Sequence, residues 1–227
     1  MEQLPFLLSI ENLFKKSFDL YKKKVFTMII LALVAIIGSC SIVFVFGVVG
    51  MITFVAIRDS LGLNLSMVVL LLECLLLIIA LQAWIRVTLF YTVKERANDS
   101  KVKDLLMNSS SKVGPYFWVV FLKSIIILGG FLLFIIPGII FSIWFSLAEY
   151  AFVFDDKKGM QALWRSKELV QGYWWPVFGR LLALFLLAVF VSCIHNVGFL
   201  INFVLVLPFG IIYGYVIYED LKRIKKN

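Results

Sequence analysis

Apolar residues run along the chain in long stretches, separated by short polar segments rich in lysine and arginine. Several of these runs exceed the roughly 18 residues that mark a membrane-spanning helix. They predict six spans, at roughly 25–50, 66–92, 115–136, 138–155, 175–195 and 197–218. The polar segments between them are too short for a separate soluble domain, so residues 1–227 are expected to form a single integral membrane domain. The fold class is all-α: a polytopic helical bundle of six transmembrane helices arranged as three hairpins.

The run from Tyr116 to Phe154 decides that count. As one helix of about 40 residues it would reach about 60 Å, twice the roughly 30 Å hydrocarbon core. It has to turn back. The turn chemistry lies in IIPGIIFSIW (135–144), where Pro137 lacks an N–H and Gly138 accepts backbone angles that end a helix. Pro137 and Gly138 are therefore expected to form a structural turn between spans three and four.

A shorter pattern precedes each hairpin. IENLFKKSFDLYKKK (10–24), SKVKDLLMNSSSKV (100–113) and GMQALWRSKELVQGYW (159–174) carry apolar residues at helical spacing among charges. In the first the stripe is Ile10, Leu13, Phe14, Phe18 and Tyr21; in the third it is Leu163, Trp164, Val170 and Tyr173. Each reads as an amphipathic helix lying in the membrane interface. Superposing the first and third sets Ser17 opposite Ser166 and Leu20 opposite Leu169, which suggests repeat-like units at about 9–92, 100–155 and 159–218.

Composition agrees with the pattern: 62% of residues are hydrophobic, 16% are charged and the mean hydropathy is +1.00. A net charge of +8 raises the question of nucleic acid, but the distribution answers it differently. All Lys and Arg except Arg58, Arg86, Lys123 and Arg180 fall in four clusters, at 15–24, 94–112, 157–167 and 222–226. Cytoplasmic loops collect such charges, so all four clusters and both termini are expected on the cytoplasmic side. No nucleic-acid partner is expected. Cys40, Cys74 and Cys193 are widely separated in or beside apolar runs, where they read as small buried hydrophobes rather than a disulfide or metal set. His195 has no second His or nearby carboxylate, so neither a metal nor a cofactor is expected.

The segments IIPGIIFSIWFSLAEYAFVFDD and ALWRSKELVQGYWWPVFG resemble a large family of bacterial and archaeal membrane proteins. That family includes the membrane domain of some glycerophosphodiester phosphodiesterases and YciC-like inner-membrane proteins. The matching positions are Pro137, Gly138, Ile139, Trp144, Glu149, Ala162, Leu163, Ser166 and Gly172. The resemblance implies a helical bundle with cytoplasmic amphipathic linkers in a prokaryotic cytoplasmic membrane. It carries no activity across, because the acidic and histidine residues of the phosphodiesterase catalytic domain have no counterpart here.

Ionisable residues inside spans are costly and are functional candidates by default. Five qualify: Glu73, Arg86, Lys123, Glu149 and Arg180. Counting about 1.5 Å per residue from the basic ends, Arg86, Lys123, Glu149 and Arg180 lie at similar depths, roughly 7–12 Å below the inner surface. Glu73 is about 20 Å further out along the helix of Arg86. Arg86 and Arg180 can snorkel to the headgroups, but the short side chain of Glu149 cannot. Two readings of this polar layer stand. It is either a staple that holds the bundle together, or a pocket whose surplus positive charge suits an anionic lipid headgroup or another phosphate-bearing ligand.

The expected function is accordingly non-enzymatic: an integral membrane protein that binds or organises anionic phospholipid or partner proteins at the cytoplasmic leaflet. The alternative is a transporter or channel for a small solute, which would need a continuous polar path through Glu73, Gln82 and Asn202.

Overall fold

The computed structural model describes residues 7–56, 61–94, 107, 109–194 and 198–225. Arg58, Asp59 and His195 lie outside them, as does most of the stretch 100–113. Six helices among the described residues are long and apolar enough to cross a membrane, over Ile10–Ile52, Met67–Lys94, Val113–Leu133, Ile135–Phe154, Trp174–Ser192 and Asn202–Ile224. The chain is a multi-pass membrane protein with an all-helical bundle.

The first hairpin pairs α1 (Ile10–Ala56) with α2 (Leu61–Lys94). Ser9 starts α1, its hydroxyl accepting the N–H of Asn12 at 3.3 Å. From there α1 continues without a break for 47 residues, or about 70 Å. The first amphipathic stretch is thus not a separate interfacial helix but the opening turns of the first span. Its buried face is Leu13, Ser17, Tyr21 and Met28, whereas Ile10 and Phe18 are exposed.

The second hairpin runs from α3 (Val113–Leu133) into α4 (Ile135–Trp144) and α5 (Ala148–Phe154). Its turn is a single extended residue, Phe134, at φ −164° and ψ 157°. Pro137 and Gly138 do not form that turn; both lie within the first helical turn of α4. Proline is tolerated there because the N–H it lacks would have no intrahelical partner. Gly138 instead lets the two limbs close. A Cβ on it would stand 2.5 Å from the Phe131 ring, and one on Gly130 would stand 3.1 Å from the Gly138 Cα.

A short helix, α6 (Met160–Val170), precedes the third hairpin. Its buried residues are Ala162, Leu163, Ser166, Leu169 and Val170, while Trp164 is exposed. It is a discrete element that packs on α3, α4 and α5. Gly172, at φ 89°, turns the chain into α7 (Trp174–Ser192), a conformation glycine adopts without steric cost. The return limb is α8 (Gly198–Ile201), a π-helical segment at Asn202–Val206, and α9 (Leu207–Ile224). Pro208 sits in the first turn of α9, directly after the π segment. Cys40 and Cys193 are exposed on the apolar surface rather than buried.

The three hairpins close on one another in a cycle. Ser109, leading into α3, shares a 2.7 Å hydrogen bond with Thr88 on α2. Ser166, leading into α7, bonds the end of α4. The start of α1 packs on α9, with the Phe14 and Tyr213 rings 4.8 Å apart. Ser17, Ser109 and Ser166 are all fully buried in these contacts.

The returning limbs α2, α5 and α9 meet through Tyr150, whose ring stands edge-on to Phe90 at 4.9 Å. Its hydroxyl donates to the Ile211 carbonyl at 3.0 Å. A Cβ on Gly214 would lie 2.1 Å from that hydroxyl. Gly214→Ala is therefore expected to lower stability by about 1–3 kcal/mol, read as a depressed unfolding midpoint in detergent. An unchanged midpoint would show that the α5–α9 contact has slack.

Candidate functional site

The helix from Ile135 to Phe154 is interrupted at Phe145–Leu147, between α4 and α5. Irregular backbone inside a membrane persists only where protein or a cavity satisfies it. Here Ser166 does so, donating from its hydroxyl to the Trp144 carbonyl at 2.6 Å and accepting the Leu147 N–H at 3.1 Å. The hydroxyl of Ser146, inside the break, donates to the Ile143 carbonyl at 2.8 Å.

Just past the break stands Glu149. Lys123 donates to its Oε1 at 2.9 Å and the Tyr116 hydroxyl to its Oε2 at 2.6 Å, so both carboxylate oxygens are engaged. The pair is largely removed from solvent, with side-chain exposures of 19% for Lys123 and 14% for Glu149. Tyr116 belongs to this site and is 1% exposed.

Beside the pair lies a cavity of about 170 Å³ between α2, the α4–α5 break and α9. Arg86, Glu149 and Ser146 supply its polar wall, and Phe90, Tyr150 and Ile211 much of the remainder. Arg86 is exposed and makes no hydrogen bond or ion pair within the described residues, and it lines the cavity together with Glu149. The structure thus brings together Arg86, Lys123 and Glu149 from three helices.

It places Arg180 elsewhere. That guanidinium donates to the Pro176 carbonyl at 3.0 Å and to the Leu8 carbonyl, while the Leu8 N–H donates to Asp220 at 2.8 Å. Its Nε is buried with no partner among the described residues. Arg180 fixes the segment before α1 against α7 and α9. Glu73 stands on an exposed face of α2, apart from both groups. Among the described residues no group of three or more His, Cys, Asp or Glu is placed to hold a metal.

A second charged cluster lies at the basic end of the bundle. Asp155 accepts from Arg165 at 3.2 Å and from Lys222, and Arg165 also pairs with Glu168 at 2.9 Å. Burial by itself raises the Asp155 pKa, but the bonds from Lys222 and Arg165 outweigh it and hold the carboxyl below its ordinary value.

No known protein family, characterised protein or solved structure matches this chain.

Two outcomes follow from these geometries. Removing one partner of a buried ion pair leaves an uncompensated charge, so Lys123→Met is expected to cost about 3–5 kcal/mol. Lys123→Met with Glu149→Gln should recover most of that loss in a double-mutant cycle of unfolding in detergent; additive losses would exclude the pairing. For Asp155, a folded pKa below the unfolded value of about 3.9 means stabilisation that is present above about pH 4 and lost as pH falls through the folded value. Asp155→Asn should lower stability at neutral pH and flatten the decline below about pH 4. A decline as steep as that of the unaltered chain would assign it to other carboxylates.

Proposed function

We propose that the chain is a non-enzymatic membrane protein that binds anionic phospholipid in the cytoplasmic leaflet, with the cavity at Arg86 receiving the phosphate of the headgroup. The observation that carries this reading is the charge balance at the cavity. Lys123 and Tyr116 already satisfy Glu149, so Arg86 is a cation with no ion partner among the described residues, at the rim of a 170 Å³ space. Guanidinium groups engage phosphate oxygens by charge-assisted, often paired hydrogen bonds. Basic pockets between membrane helices on the cytoplasmic side suit such headgroups.

The orientation in this reading rests on the four basic clusters, which favour the cytoplasmic side for both termini.

The experiment counts lipids bound to the detergent-purified chain by native mass spectrometry, using phosphatidylglycerol and phosphatidylcholine with identical acyl chains. Arg86→Gln is expected to weaken phosphatidylglycerol binding about tenfold, as loss of a hydrogen bond to a charged group does, with little change for phosphatidylcholine. Equal binding by the variant would end the headgroup reading. Solute flux through reconstituted vesicles that disappears in Glu73→Ala or Glu149→Ala would replace it with transport.

A further inference from the structure

The polar wall of the Arg86 cavity is unevenly supplied with donors and acceptors. Tyr150 lines it, but its hydroxyl hydrogen is committed to the Ile211 carbonyl at 3.0 Å. The Ser146 hydroxyl hydrogen is likewise committed, to the Ile143 carbonyl at 2.8 Å. Arg86 therefore supplies the only uncommitted side-chain donors of this wall among the described residues.

Acceptors are in surplus. A carboxylate offers about four lone-pair sites and a hydroxyl oxygen about two. Glu149 receives one bond on each oxygen, from Lys123 at 2.9 Å and from Tyr116 at 2.6 Å, which leaves about half of its acceptor capacity. The Ser146 oxygen donates to Ile143 and accepts no hydrogen bond among the described residues. A cation and two unfilled acceptors thus border one space of about 170 Å³.

A ligand that satisfies this wall brings an anionic group for Arg86 and hydrogen-bond donors of its own for Glu149 and Ser146. Those donors have to be neutral. Lys123 and Glu149 balance each other, so the site carries one surplus positive charge, which a phosphodiester alone offsets; an ammonium placed there would share the space with Arg86 and stand close to Lys123. Hydroxyls meet both conditions. Resting on the reading that Arg86 receives a headgroup phosphate, we propose that the lipid bound here carries a polyol on its phosphodiester, as phosphatidylglycerol does, and that Glu149 and Ser146 select it by accepting hydrogen bonds from its free hydroxyls. A site built to bond a ligand hydroxyl rejects the analogue that lacks it, because the site's own buried polar groups are then left unpaired.

Phosphatidylpropanol is that analogue, with the charge and headgroup length of phosphatidylglycerol but neither hydroxyl. The test offers the two lipids, with identical acyl chains, in competition to the full detergent-purified chain and counts each by native mass spectrometry. The unaltered chain is expected to prefer phosphatidylglycerol about tenfold. Ser146→Ala should reduce that preference to about threefold, and Lys123→Met with Glu149→Gln, which removes the carboxylate without changing the net charge, should reduce it at least as far. Arg86→Gln should weaken both lipids about tenfold and keep their ratio. Binding of both lipids that ignores Arg86→Gln ends the headgroup reading and this inference with it. Equal binding of the two lipids, weakened together by Arg86→Gln, leaves the phosphate on Arg86 and overturns only the selection by Glu149 and Ser146. A preference that survives both Ser146→Ala and the double variant overturns that selection as well, as does phosphatidylethanolamine bound as tightly as phosphatidylglycerol. Glycerophosphoglycerol, the same headgroup without acyl chains, should not displace the lipid at equal concentration; displacement would assign the site to a soluble phosphodiester and end the lipid reading.

Discussion

A carboxylate inside a membrane-spanning helix must be surrounded by donors, and the arrangement around Glu149 governs much of the bundle. Its donors, Tyr116 and Lys123, are both on α3, so the carboxylate joins α5 to α3 and requires the chain to reverse between them. The reversal at Phe134 brings the limbs close enough only because Gly130 and Gly138 face each other. The break at Phe145–Leu147 separates α5 from α4, and it is tolerable because Ser166 occupies the exposed backbone groups. Ser166 in turn depends on α6 being held in place, which Arg165 does through Asp155. The chain of dependence thus runs from one acid to three separate helices.

Much of the fold was legible because a bilayer imposes lengths. A 40-residue apolar run cannot be one span, whatever its side chains, so the hairpin at residues 113–154 followed from counting. The position of its turn did not follow. Proline is compatible with the first turn of a helix as well as with a loop, and a lone extended phenylalanine leaves no signature. The continuity of α1 could have been read from the absence of Gly and Pro between Ile10 and Ile37, but the change from charged to apolar residues suggested two elements.

The candidate site was legible by height and not by azimuth. Counting residues along each span puts Arg180 level with Glu149, yet depth does not say which way a helix faces, and Arg180 turns to Leu8 instead. Tyr116 and Ser166 escaped for a related reason. Aromatic residues and serines are common where a helix meets the interface, and their roles here exist only because Glu149 and the broken backbone come from elsewhere in the chain. The lysine clusters also carry more than orientation. Lys24 donates to the Thr92 carbonyl at 2.8 Å, Lys94 to Val153, and Lys225 to Glu168 and Gln171, so these cations satisfy the negative C-terminal ends of α2, α5 and α6.

The cycle of hairpins is closed by residues from opposite ends of the sequence, since Leu8 is fixed by Asp220 across a separation of 212 residues. At about 5–20 residues per second a ribosome needs on the order of 10–40 s to make the intervening chain. Throughout that interval the opening turns of α1 have no α9 to rest on. Until α9 is made that face can rest on membrane lipid, so the first hairpin begins its existence as a lipid-solvated pair and becomes part of a ring only after α9 has followed it.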